Sequence, residues 1–247
     1  MGPFLSNHLA LIKDCYPVKT LTTTSIAELK PDGNALSKLC FYSAGRPKKL
    51  PKVAAAVLER AERDTRTSGI KARAGLAVTV DIARGLVSEC RSELHCFAED
   101  ALKVAELALG RREAGARDPD LEARGASLFH AVSVFSSGPS VGLDQGIVKQ
   151  YLRCLSILSS MAQLGADSTT SRWIALSALE GAVTSEFLYA AAADYESQIR
   201  LIIPATLHNC VGIPVPDLRQ KFSMSDPSGQ TPNLGAVPAR KSPIISA

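Results

Sequence analysis

Three groupings of residues in this 247-residue chain have the types and spacing to do chemistry. The first is Gly138-Pro139-Ser140-Val141-Gly142, which matches G-x-S-x-G, the turn that presents a hydrolase serine. Ser140 would be the nucleophile, and Asp194 and His208 follow in the chain order such a triad uses. That chemistry needs a strand before the serine and a helix after it, within a mostly parallel sheet. The stretch from His130 to Ser136 alternates as a strand would, yet nothing upstream of it reads as a strand. The motif therefore reads as a helix–helix loop, and a lipase-like hydrolase is the weaker alternative. The second grouping, Cys90, His95 and Cys96, holds metal-ligand types without a second cysteine–histidine pair or a zinc spacing. These read as core thiols, so no metal is expected. Phosphate-binding glycine motifs are missing from the sequence, and no cofactor is expected.

The third grouping is a basic run, RPKKLPKVAAAVLERAERDTRTSGIKAR, from Arg46 to Arg73. Nine basic side chains face three acids, a net of +6. Residues 1–84 net +7, residues 85–216 net −5 and residues 217–247 net +2, so the overall +4 conceals a strongly basic end on an acidic body. Such asymmetry points to a polyanionic partner, either anionic lipid or nucleic acid. Single-strand binders interleave aromatics with basic residues, and this run has none. A helical-repeat protein binding nucleic acid by charge alone is the alternative, with no specific nucleic acid expected. A solvated helix face is the plainest alternative of all.

These side chains must be positioned by helices. Alanine and leucine dominate and aromatics are 5% of the chain, which favours helix over sheet. Periodicity and caps predict helices over 6–15, 34–44, 51–64, 70–87, 92–109, 121–135, 144–164, 169–191 and 194–211. Asp32 or Asn34 is the expected cap of the second, and Ser92 of the fifth. Gly110 to Pro119 reads as a charged loop. The fold expected is all-α: stacked antiparallel helices in a degenerate HEAT- or armadillo-like array over 1–213, with a compact bundle as alternative. Residues 214–247 are rich in Pro, Ser and Gly and read as a disordered tail.

On a helical wheel, Lys49, Lys52, Arg60, Arg63 and Arg66 share one third of the helix from Pro51, with Leu50, Val53, Val57, Leu58 and Ala61 largely on the other side. The pairs Glu59–Arg63 and Glu62–Arg66 lie at i,i+4, leaving Arg46, Lys48, Lys49 and Lys52 least compensated. No segment is apolar and long enough to span a bilayer, and no signal peptide is evident, so membrane contact would be peripheral. The six dispersed cysteines read as reduced thiols of a cytosolic protein. Met1-Gly2-Pro3 opens a loose myristoylation pattern that the proline disfavours.

Ordered pieces of the first 110 residues carry a resemblance. Lys13 to Pro17 reads KDCYP, Pro31 to Tyr42 reads PDGNALSKLCFY, Arg46 to Val53 reads RPKKLPKV, and Ala77 to Ile82 reads AVTVDI. Together they resemble the N-terminus of the eighty-five-requiring (rolling blackout) family in its fungal form. The resemblance implies a non-enzymatic rod of armadillo- and HEAT-like helices at the cytoplasmic face of the plasma membrane. It implies anchoring of a type III phosphatidylinositol 4-kinase complex, and a basic patch on acidic phospholipid. Carried onto this chain, the patch is Arg46, Lys48, Lys49 and Lys52, supported by Arg60 and Arg63. Family members are much longer, so the chain looks like an N-terminal portion or a truncated form. Animal members carry a palmitoylated cysteine cluster, whereas only Cys15 lies near the start here. Attachment would rest on charge, with Phe4, Leu5, Leu9 and Ile12 either inserting or, as favoured, packing the first helix.

Overall fold

Stripes of alanine and leucine at three- and four-residue spacing lose little freedom in a helix and gain burial when helices stack. The computed structural model describes residues 8–17, 26–113, 115–136, 144–165, 168–190 and 192–211. Among them the helices are α1 (His8–Asp14), α2 (Gly33–Ala44), α3 (Leu50–Arg66), α4 (Ile70–Glu89) and α5 (Ala98–Gly110). They continue as α6 (Pro119–Phe135), α7 (Gln145–Ala162), α8 (Thr169–Thr184), α9 (Glu186–Ala190) and α10 (Tyr195–Val211). Short 3-10 turns occupy Ile26–Glu28, Pro47–Lys49, Arg91–Cys96 and Ala192–Asp194.

Successive helices pair as α1–α2, α3–α4, α5–α6 and α7–α8. The pairs stack in two rows: α1, α3, α5 and α7 touch in sequence, and so do α2, α4, α6 and α8. Each pair buries one stripe against its partner and another against the next pair, the layout of an armadillo-type array. At the far end α10 lies on α7 and α8. Ser159 donates to the Leu201 carbonyl at 2.7 Å, and the Asn209 amide bridges Arg172 and the Ala162 carbonyl. Phe129, Tyr151 and Phe187 stack at centroid distances of 4.9 and 4.0 Å in the core between α6, α7 and α9.

Several expectations change. Asp32 is the cap of α2, accepting from the Ala35 amide at 2.8 Å. Ser92 caps nothing; Arg91–Cys96 is a 3-10 turn and α5 starts at Ala98. The helix expected over 169–191 breaks at Ser185, whose hydroxyl accepts from the Phe187 amide at 3.1 Å and donates to the Ser133 carbonyl. A buried serine that satisfies backbone on both sides replaces the ladder bonds of a continuous helix.

The charged stretch expected as a loop pairs as a short hairpin. Its antiparallel strands are β1 (Arg112–Glu113) and β2 (Ala116–Arg117), and the turn uses Gly115 at φ 82°. Buried Arg111 donates to the carbonyls of Asp64, Thr65 and Thr67 at 3.2, 2.7 and 2.9 Å, closing the last turn of α3. Arg117 binds fully buried Glu122 at 2.8 Å, and the Ser171 hydroxyl donates to the other Glu122 oxygen at 2.6 Å. The hairpin thus ties α3, α6 and α8. The chain divides into Met1–Asn209 and Cys210–Ala247, and the expected tail from 214 lies outside the described residues.

Candidate functional site

The basic end is built by the turn between α2 and α3. The amide of Gly45 closes α2 on the Phe41 carbonyl at 3.0 Å, and Arg46 and Lys49 continue the turn onto Ser43 and Arg46 carbonyls. Pro47 and Pro51 each sit at the first turn of a helical segment, where a missing amide costs nothing. Leu50, Val53, Ala54, Val57 and Ala61 go into the core. Arg46, Lys48, Lys49 and Lys52 are thereby left exposed at the tip.

The structure sorts the six expected contact residues into two groups. The Arg46 guanidinium sits 4.5 Å from the Tyr42 ring centroid, a contact that orients the cation without neutralising it. Among the described residues, no acid forms an ion pair with Arg46, Lys48, Lys49 or Lys52. Arg60 is engaged twice, with Asp64 at 3.0 Å and over the Tyr16 ring at 4.6 Å. Arg63 pairs with Glu59, and Arg66 with Glu62, each at 3.0 Å. Arg73 leaves the patch altogether: it is bound to Asp118 and, at 3.4 Å, to Asp120. Uncompensated charge is therefore concentrated at 46–52.

One residue of this end escaped the sequence reading. Phe41, in the last turn of α2, is 84% exposed, the most of any large hydrophobic side chain among the described residues. Lys38 lies one turn before it on the same face. A helical pattern that buries Leu39 and Cys40 leaves Phe41 outside, but wheel arithmetic on a twelve-residue helix does not fix which edge faces solvent.

The other candidates fall differently. Ser140 and the G-x-S-x-G turn lie outside the described residues, but His130–Phe135 is helical, so the strand that a hydrolase serine needs before it is absent there. Cys90 is buried as expected of a core thiol, whereas Cys96 is exposed with its Sγ 3.1 Å from His95 Nε2. Glu93, His95 and Cys96 hold their ligand atoms within 4.8 Å of one another on one short turn, a grouping that their sequence spacing did not suggest. Cys15 is fully buried, donates to the Leu11 carbonyl at 3.2 Å, and burial pushes its thiol up to about 12. It is closed to acylation in the folded protein. Ile12 is buried and Leu9 exposed, while Phe4 and Leu5 lie outside the described residues.

An open depression of about 760 Å³ runs between α4 and α6, lined by Lys30, Asp81, Arg84, Arg124 and His130 among others. Two of its charges are used internally. Arg124 binds Asp81 and donates to the Leu29 carbonyl at 2.7 Å, joining the segment before α2 to α4 and α6. No helix among the described residues is long and apolar enough to cross a membrane.

Stacked helical hairpins with a basic end define a helical-repeat array. The family described as "EFR3, armadillo repeat" matches residues 36–183, and the chain belongs to that family. It is 32% identical over 222 residues to Protein EFR3 of Mycosarcoma maydis, covering 83% of this chain and 21% of that one. It is 33% identical over 220 residues to Protein EFR3 of Cryptococcus neoformans, covering 83% and 22%. A crystal structure of Efr3 superposes with a TM-score of 0.50 at 19% identity, over 74% of this chain and 36% of that one. The chain spans about a fifth of the length of these curated relatives. Family and fold together indicate a scaffold, not an enzyme, as the N-terminal motifs implied.

Proposed function

We propose that this chain binds the acidic phospholipids of the inner leaflet through Arg46, Lys48, Lys49 and Lys52. In that role it holds a phosphatidylinositol 4-kinase complex at the cytoplasmic face of the plasma membrane. The observation that carries the reading is the cluster of exposed cations on one tip with no acid paired to them. Arg60 and Arg63 add their charge at reduced strength, because each is already paired with a carboxylate. Each basic side chain near an anionic leaflet contributes about 1 kcal/mol, so the four together give about 4 kcal/mol. Such binding is reversible and sensitive to salt. The kinase partnership rests on the family resemblance and on an array surface able to carry other subunits.

Co-sedimentation with phosphatidylcholine vesicles, with and without phosphatidylserine or phosphoinositide, tests the lipid contact. The folded chain is expected to pellet with anionic vesicles at low salt and to be released at high salt. Lys48→Glu/Lys49→Glu/Lys52→Glu should abolish pelleting while leaving the helical circular dichroism unchanged. Undiminished pelleting by the triple variant would move the contact elsewhere.

A further inference from the structure

Four surface cations make a weak anchor, and charge alone seldom holds a protein stably on a bilayer; a second, apolar signal is the usual complement. We infer that Phe41 is that signal: an aromatic wedge that enters the headgroup–acyl boundary once the basic tip has docked. The proposal rests on the lipid reading above and adds a contact of a different chemistry to the same site.

Single exposed apolar side chains are common and by themselves mean little. Two observations set Phe41 apart. The first is its degree of exposure, 84%, on a helix whose other large apolar side chains, Leu36 and Leu39, pack into or against the core. The second is its collar. Lys38 precedes it by one turn, and Arg46, Lys48 and Lys49 follow within the tight turn that its own carbonyl helps close. An exposed aromatic ring with long basic side chains close to it in the chain suits an anionic interface: the ring goes below the headgroups and the cations reach back to the phosphates. On its α4 side Phe41 itself lines a depression with Ser37, Ala44, Gly85 and Glu89, so one acid borders that side of the site.

The test moves the chain's single tryptophan. A double variant combines Trp173→Phe with Phe41→Trp, both at exposed positions whose substitution leaves the core untouched. With phosphatidylserine-containing vesicles, the fluorescence of the relocated indole should shift to the blue and be quenched by lipids brominated near the headgroup end of the acyl chain. Phe41→Ala in the otherwise unchanged chain should weaken vesicle binding about tenfold, the loss of one buried aromatic's contribution. If the wild-type chain pellets in a salt-sensitive way but the relocated indole neither shifts nor is quenched, the wedge is wrong and the basic-tip reading stands. If the wild-type chain does not bind anionic vesicles at all, both fall. Quenching of that indole by a single-stranded oligonucleotide and not by vesicles would overturn the wedge in favour of base stacking.

Discussion

Arg73 shows how a residue's type can mislead about its job. In the sequence it belongs to the basic run, and its nearest acids give no i,i+4 partner. In the fold it reaches Asp118, 45 residues away and 2% exposed at the side chain, while Asp118 also caps α6 through the Leu121 amide at 3.3 Å. Burial alone would raise the Asp118 carboxyl, but the hydrogen bonds from Arg73 and Leu121, with the charge of Arg73, hold it below its ordinary value. Asp118→Ala should cost about 2–3 kcal/mol at pH 7, combining a lost cap with a lost charge-assisted hydrogen bond. A carboxylate with a lowered folded pKa stabilises above its unfolded pKa of about 3.9 and loses that contribution as pH falls through the folded value. The stability gap between wild type and Asp118→Ala in urea should therefore be constant from neutral pH to about 5 and narrow on further acidification. An equal gap at pH 7 and pH 3 would show that the charge of Asp118 contributes nothing. Sequence spacing exposes ion pairs within one helix, such as Glu59–Arg63, but has no means of showing Arg73–Asp118, Arg124–Asp81 or Arg117–Glu122.

At the scale of elements, apolar periodicity carried most of the information. Helix spans over 34–44, 51–64, 70–87, 121–135 and 194–211 agree with the structure to within a few residues, and the basic and apolar faces of α3 separate as the wheel arranged them. What was not legible depends on partners from other elements. Ser185 ends a helix because the Ser133 carbonyl accepts from its hydroxyl, and Arg111 and Arg117 are held because α3 and α6 supply their acceptors. Close helix approach is equally silent in sequence. At Gly125 of α6, an added Cβ would meet Leu109 Cγ at 3.0 Å and the Ala105 carbonyl oxygen at 3.1 Å. The backbone of α5 cannot yield as a flexible side chain could, so Gly125→Ala should destabilise by about 1–3 kcal/mol despite the better helix propensity of alanine. Gly110→Ala, with nothing within 4 Å of the new methyl, is the control and should be neutral or slightly stabilising. Thermal unfolding of the two variants side by side checks the pair; equal midpoints would mean that α5 and α6 can separate without penalty.

For the whole molecule, charge and architecture together set how it would meet a membrane. The net +7 belongs to residues 1–84, which supply α1 to α3 and most of α4, and the net −5 to residues 85–216, which supply the helices that follow. From α2 the row runs through α4 and α6 to α8, three interaxial steps of 8–10 Å, or about 24–30 Å. That is several Debye lengths at physiological salt, so the charges of α8 are screened from an anionic surface held at α2. On the proposed lipid reading the docking expected is end-on: α2 and the tip of α3 at the lipid, α8 well clear of it. Trp173, the only tryptophan, is 68% exposed on α8 and reports on this directly. In the wild-type chain its emission should stay unshifted, and acrylamide should quench it equally well, whether or not anionic vesicles have bound the protein. A blue shift of Trp173 on binding would mean that the row from α2 to α8 lies flat on the bilayer. In that geometry the acidic body would sit within a Debye length of the lipid phosphates, and the charge asymmetry would oppose the contact it is proposed to steer.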